Sequence, residues 1–223
     1  MYFSRIRVLG NQPDKLMAII KSNDYDQHQL LWQLFPDDPD AERDFLFKRD
    51  EARGFPQFYM VSAREPVDLK GVLEVETKTY QPQIAAGDRL AFTLRANPIR
   101  TRKVDDHSKK RKRDDVVMVL KKRYKADGVS AEEMPSKAEL SQEAGERWLN
   151  SRAERCGFEL EAVRADSYQQ HHHARKGREI RYSSLDFHGM LSVIEPEKLT
   201  NALVNGIGPA KAFGCGLMLV RRA

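Results

Sequence analysis

Two stretches of the chain bring together residue types that could do chemistry. The first is Tyr25-Asp26-Gln27-His28. On a helix Tyr25 and His28, three positions apart, share one face, and Trp32 and Phe35 follow near it. An imidazole with a pKa near about 6.5 gives or takes a proton at neutral pH, and a phenol beside it could position a reacting hydroxyl or phosphate. The same pattern also suits a structural histidine. The second stretch is Asn205 to Gly216, NGIGPAKAFGCG. Here Gly206, Gly208, Gly214 and Gly216 let backbone N–H groups turn toward an anion, and Lys211 adds a charge. It is neither GxxxxGK[ST] nor GxGxxG, because position 211 is lysine. It reads equally as a phosphate cradle or as a structural connection.

Basic residues form two further candidates. Lys109, Lys110, Arg111, Lys112 and Arg113 are consecutive, and Arg175, Lys176, Arg178 and Arg181 surround a Lys176-Gly177 turn signal. The latter reads as a basic hairpin able to enter a nucleic-acid groove, or as an exposed charged loop. His171, His172 and His173 are consecutive, so their side chains diverge and are poorly placed to ligate one metal. No metal site is expected, with a metal nuclease kept as a rival. His188 sits on the Asp186, Met190 face of a strong strand and reads as structural.

Composition narrows the setting. The 223 residues carry a formal charge of +5. Arg95 to Lys125 alone holds 13 Lys or Arg against four Asp, a local sum of +9, leaving −4 for the rest. A positive field so concentrated points to a polyanion, most simply nucleic acid. No apolar run approaches the roughly 18 residues of a membrane span. The opening MYFSRIRVLG lacks the apolar stretch of an export signal, so a cytoplasmic protein is expected. Cys156 and Cys215 show no CxxC spacing, which argues against a disulfide scaffold or a thiolate zinc site.

The elements that must position these residues follow from periodicity. Tyr2–Val8 alternates as a strand. A helical region runs from about 14 to 34, with Asn23 and Asp24 able to cap a fresh start inside it. Residues 57–63, 71–79 and 89–96 read as strands, 116–120 as a short strand, and 136–155 as a helix opened by a Ser136/Glu139 capping box. Residues 158–163 and 185–194 read as strands around a polar segment that contains the Lys176-Gly177 turn signal. Pro196 to Asn205 reads as a helix with Gly206 just past its end, and 216–221 as a last strand. The expected fold is α+β: two tandem ferredoxin-like (βαββαβ) domains, with antiparallel sheets and helices on one face of each. Expected boundaries are an N-terminal domain at 1–100, a basic linker at 101–115 and a C-terminal domain at 116–223.

Three segments together, YDQHQLLWQLFPDDPDAERDFLF, RANPIR and GIGPAKAFGCGLMLV, resemble the CasE family. These are the CRISPR-RNA-processing endoribonucleases of the type I-E Cascade complex. The resemblance implies two tandem ferredoxin-like domains, in agreement with the independent reading. It implies metal-independent cleavage of the repeat hairpin of precursor CRISPR RNA, with no cofactor, leaving a 2′,3′-cyclic phosphate and a 5′-hydroxyl. His28 falls on the family's catalytic histidine, Tyr25 on a tyrosine found nearby in some members, and the glycine-rich segment around Lys211 on the RNA-contacting loop. It further implies that the enzyme stays on its product with the other Cascade subunits. A binding-only subunit on the same fold is the alternative.

Overall fold

The computed structural model describes residues 1–35, 42–52, 54–103, 111–175 and 178–223. The chain divides into two compact units. One comprises Met1–Gln83 and Thr200–Leu217, the other Ile84–Leu199 and Met218–Ala223. Both cysteines are buried.

The first unit is built on an antiparallel sheet of β1 (Tyr2–Val8), β2 (Phe45–Ala52), β3 (Phe55–Ser62) and β4 (Leu73–Thr79), in the order β2-β3-β1-β4. In β1, Ser4, Ile6 and Val8 are buried while Arg5 and Arg7 are exposed, so the period-2 pattern is realised. Helices α1 (Pro13–Lys21) and α2 (Asp24–Trp32) contribute Ile19 and Leu31 to the core, which also holds Phe45, Phe47, Phe58, Met60 and Leu73. Burying each such side chain favours folding by about 1.5–3 kcal/mol. The break between the helices comes from Asn23, whose side chain accepts hydrogen bonds from the N–H groups of Tyr25 and Asp26. The expected second helix of this unit is absent. The connection from Ala63 to Val72 carries Pro66, hydrogen-bonds through Val67 N–H to Leu34 O (3.0 Å), and runs directly into β4.

The second sheet contains β5 (Arg89–Ala96), β8 (Phe158–Arg175), β9 (Arg178–Val193) and β10 (Met218–Arg222), in the order β10-β5-β9-β8. Helices α3 (Val116–Ala126) and α4 (Lys137–Ala153) separate β5 from β8, and α5 (Pro196–Asn205) follows β9. Gly145 lets α4 press close to the sheet: a Cβ there would come within 2.7 Å of Ala165 and of Leu185. Trp148 of α4 stacks on Phe187, ring centroids 5.7 Å apart. The expected Ser136/Glu139 capping box opens α4.

Four expectations change. Strand β5, placed at the end of the first domain, pairs with β9 and β10, so the second unit begins at Ile84 rather than after residue 115. The two ends of the linker are strands: β6 (Ile99–Lys103) and β7 (Arg111–Asp115) form a two-stranded antiparallel ladder. Residues 104–110, including Lys109 and Lys110, lie outside the described residues. Residues 116–120 are helical, because the Asp115 side chain accepts from Val117 N–H (2.9 Å) and Met118 N–H (3.0 Å), and KKRYKA continues with helix-forming residues. The strands expected at 158–163 and 185–194 run on through the polar segment, since β8 and β9 remain paired out to Arg175 and Arg178.

Candidate functional site

His28 lies on α2 in the first unit and is only 9% exposed. Its ring is walled by aromatics, with centroids 5.5 Å from Phe45, 6.2 Å from Phe47 and 6.1 Å from Trp32, the last edge-on. Removal from water, with a smaller contribution from the Arg43 charge, lowers its pKa to about 4, so the ring is neutral at pH 7. Its Nε2 is buried and has no hydrogen-bond partner among the described residues. A histidine kept for structure alone is ordinarily satisfied, and an unpartnered buried ring nitrogen costs about 1–3 kcal/mol. Tyr25 sits three positions earlier on the same helix, half-buried.

The start of β2 is fixed from the opposite side. Arg64 forms a two-pronged ion pair with Asp44, at 2.8 and 2.9 Å, and its guanidinium lies 4.8 Å from the Phe35 ring centroid and 5.8 Å from that of Trp32. The Arg64 hydrogen bond holds the Asp44 carboxyl below its ordinary range. This clamp sets the path of the neighbouring Arg43 and Phe45.

The glycine-rich segment closes on the same unit. Ile207 N–H donates to Gly216 O (2.9 Å), and within the loop Phe213 N–H donates to Ala210 O (2.9 Å). The turn Lys211–Phe213 packs against α2 and β2. Gly214 has φ +71°, and a Cβ there would lie 3.3 Å from the Phe47 ring. Ala210 adopts φ +60° without being glycine, a local strain of about 1–2 kcal/mol of the kind stored at functional loops. Burial and then the Arg43 charge hold the Lys211 ammonium below its usual range. Arg43 thus acts electrostatically on both His28 and Lys211. The sequence reading did not single it out; the signal was its spacing, since positions 43, 45 and 47 alternate onto one side as β2 begins.

The remaining candidates lie in the second unit. Arg113 of β7 and Arg181 of β9 line one cleft of about 550 Å³, together with Asn97, Gln170 and the stacked pair His171–Tyr182. Arg111 and Lys112 are exposed on β7, and Arg181 pairs with Glu179 at 2.7 Å. Backbone residues Arg175 and Arg178 pair at the far end of the β8–β9 ladder, and Lys176 lies outside the described residues. His171 Nε2 and Ser184 Oγ share a hydrogen bond (2.8 Å), while His172 pairs with Glu179. Among the described residues no three His, Cys, Asp or Glu side chains gather as a metal site would need. No helix among them is long and apolar enough to cross a membrane.

Two antiparallel sheets, each in the ferredoxin-like strand order, with a buried histidine beside a glycine loop in one unit and an arginine-lined cleft in the other, define a tandem ferredoxin-like protein. The chain belongs to the family of CRISPR-associated proteins: the family model of that description matches residues 1–222. It is 32% identical over 198 residues to the CRISPR system Cascade subunit CasE of Escherichia coli strain K12, covering 87% of this chain and 89% of the relative. It is 28% identical over 218 residues to the CRISPR-associated endoribonuclease Cse3 of Thermus thermophilus, covering 89% and 90%. The solved structure of Thermus thermophilus Cse3 bound to an RNA representing a pre-cleavage complex superposes with a TM-score of 0.68 at 24% identity, covering 99% of this chain and 98% of that one.

Proposed function

We propose that this chain is an endoribonuclease that cuts the repeat hairpin of precursor CRISPR RNA without a metal ion and then remains on the product as a Cascade subunit. The observation that carries the reading is the neutral, buried and unpartnered Nε2 of His28 in the unit that also holds the Lys211 turn.

RNA supplies its own nucleophile, the 2′-hydroxyl. Held in line with the adjacent phosphorus, it needs little beyond proton transfer and charge stabilisation. His28, neutral before RNA arrives, takes the hydroxyl proton, and the oxygen displaces the 5′-oxygen of the next nucleotide, which takes a proton from water as it leaves. This leaves a 2′,3′-cyclic phosphate and a 5′-hydroxyl. General base help of this kind is worth about 10²–10⁴-fold. Lys211 and Arg43 offset the charge that grows on the phosphorane, and Tyr25 orients the reacting segment. Because Nε2 is buried in the RNA-free chain, binding has to open a path to it. The A-form stem hides its base edges, so it is gripped through phosphates, with Gly208, Gly214 and Gly216 presenting backbone N–H groups and Arg113 and Arg181 lining the second-unit cleft. The Gly206 N–H is committed to Ala202 O (2.8 Å), so Gly206 shapes the turn and does not donate to the ligand.

One incubation tests this: a cognate repeat hairpin in excess EDTA, followed by end-group analysis. Cyclic phosphate and 5′-hydroxyl ends are expected, with His28→Ala losing at least about 10²-fold in rate while still binding RNA. Wild-type protein that binds but never cuts would leave a binding-only subunit. Cutting abolished by EDTA and restored by added metal would replace the mechanism.

A further inference from the structure

On the helical side of the second unit lies a smaller cleft, of about 260 Å³, between α3, α4 and the first residues of β6. Four guanidinium groups line it: Arg100, Arg123, Arg147 and Arg152. Its apolar lining comes from Val119, Leu120, Ala144 and Trp148.

Arg152 is held rigidly. Its Nη1 donates to Trp148 O (2.8 Å) and Ser151 Oγ (3.0 Å), and its Nη2 donates to Ile99 O (3.1 Å). The guanidinium lies 3.9 Å from the centroid of the Trp148 ring. Its Nε is buried without a hydrogen-bond partner among the described residues. No carboxylate among the described residues acts on it. Burial, and then the neighbouring Arg155 charge, lower its pKa to about 10. A half-buried cation without a counter-charge is unfavourable until an anion arrives.

The other three arginines are available. Arg123 meets Asp127 at 3.7 Å, both side chains exposed, and Arg147, itself exposed, meets the half-buried Glu143 at 2.8 Å, which also accepts from the Tyr124 hydroxyl (2.9 Å). Such surface pairs are worth about 0–1 kcal/mol and exchange readily. Arg100 is exposed opposite Asp114, whose carboxylate is already held by Arg102 at 2.5 Å. With Arg102 counted beside the acid it holds, five cations face three acids, which leaves a local excess of positive charge.

The shape and lining select the occupant. Trp148 has Phe187 stacked on its ring and Arg152 against it as well, so it offers no platform for a nucleobase. The aliphatic lining has no counterpart in a ribose-phosphate backbone, but it suits an aliphatic side chain beside carboxylates. The volume is below the roughly 300–1,000 Å³ of small-molecule sites. We propose that this cleft docks an acidic segment bearing an aliphatic side chain, supplied by another protein subunit of the complex in which the chain works. This rests on the reading above that the protein stays in a multi-subunit particle.

The test uses the full chain co-expressed with the other Cascade subunits from the same source. Three exposed side chains are reversed together, Arg100→Glu, Arg123→Glu and Arg147→Glu. A separate variant carries the photo-crosslinker p-benzoylphenylalanine at Val119. The expected result is hairpin cleavage by the free triple variant within twofold of wild type, recovery in the assembled complex down at least tenfold, and an adduct that maps to an acidic stretch of a protein subunit. Unchanged recovery overturns the proposal, as does a wild-type chain that never enters the complex. An adduct to RNA, or parallel losses of RNA affinity and recovery, makes the cleft an RNA surface and also overturns it. Assembly by a wild-type chain that does not cut would instead refute the nuclease reading and leave this one standing.

Discussion

The imidazole of His28 and the ring of Phe47 lie 22° from parallel, with centroids 6.2 Å apart. Phe47 is also the ring that a side chain at Gly214 would touch, at 3.3 Å. One aromatic therefore sets the height of the histidine and the closeness of the glycine loop. Gly214→Ala combines a left-handed backbone with this tight contact and should destabilise by about 1–3 kcal/mol. It should lower the cleavage rate more than the RNA affinity. Urea midpoints and single-turnover rates on the repeat hairpin check both; a variant with wild-type rate and stability would break the link.

The lowered pKa of His28 makes a signed prediction. In the unfolded chain its imidazole takes a proton as pH falls through about 6.5. The folded ring resists until about 4. Between those values the unfolded state binds the extra proton, so stability declines with falling pH, by at most about 3 kcal/mol from this group. His28→Gln should remove that slope. In kinetics, kcat/KM should stay level from pH 7 down to about 5 and drop only near 4, if the ring serves as base in the free enzyme. A midpoint at 6.5 would mean that the ring is not buried as described.

Asn23 carries the helix that carries His28. Its Oδ1 accepts from Tyr25 N–H at 2.9 Å and from Asp26 N–H at 3.0 Å. Asn23→Ala should cost about 1 kcal/mol of stability. It should also reduce cleavage severalfold through misplacement of Tyr25 and His28, whereas Asn23→Asp, which retains the cap, should restore both. Thermal unfolding and cleavage measured side by side decide it.

Arg113 and Arg181 face one cleft, so their removal should weaken RNA binding through phosphates and not through bases. Each alanine substitution should flatten the plot of log affinity against log salt by up to about one unit and act alike on hairpins of different sequence. Filter-binding titrations across salt concentrations measure this. Loss confined to one repeat sequence would instead indicate base recognition.

The residues that point toward chemistry were legible where the pattern was local. The Asn23 cap, the Ser136/Glu139 box and the alternation of Tyr2–Val8 all depend on neighbours within a few positions. What escaped depended on distant partners. Nothing in RLAFTLRA announces that β5 pairs with β9 nearly a hundred residues later and not with β1 or β4. The run VVMVL is β-branched and short, and its helical state follows from Asp115 before it and KKRYKA after it. The outer halves of β8 and β9 are polar, because that part of the hairpin has little core to cover, so periodicity had no apolar face to report. His28 and Lys211 were singled out by residue type, while Arg43 was passed over because its electrostatic effect on both comes with their burial.

The backbone visits the first unit twice, since Thr200–Leu217 returns to it after the whole of β5 to β9 has been laid down. Scission between Gln83 and Ile84 would accordingly not yield two self-sufficient polypeptides. A fragment of residues 1–83 would retain the imidazole but lack the ammonium at 211, and the complementary fragment would retain the loop without the ring. Under the mechanism proposed above, cleavage would emerge only on mixing, which makes the gene a natural candidate for a two-piece complementation switch.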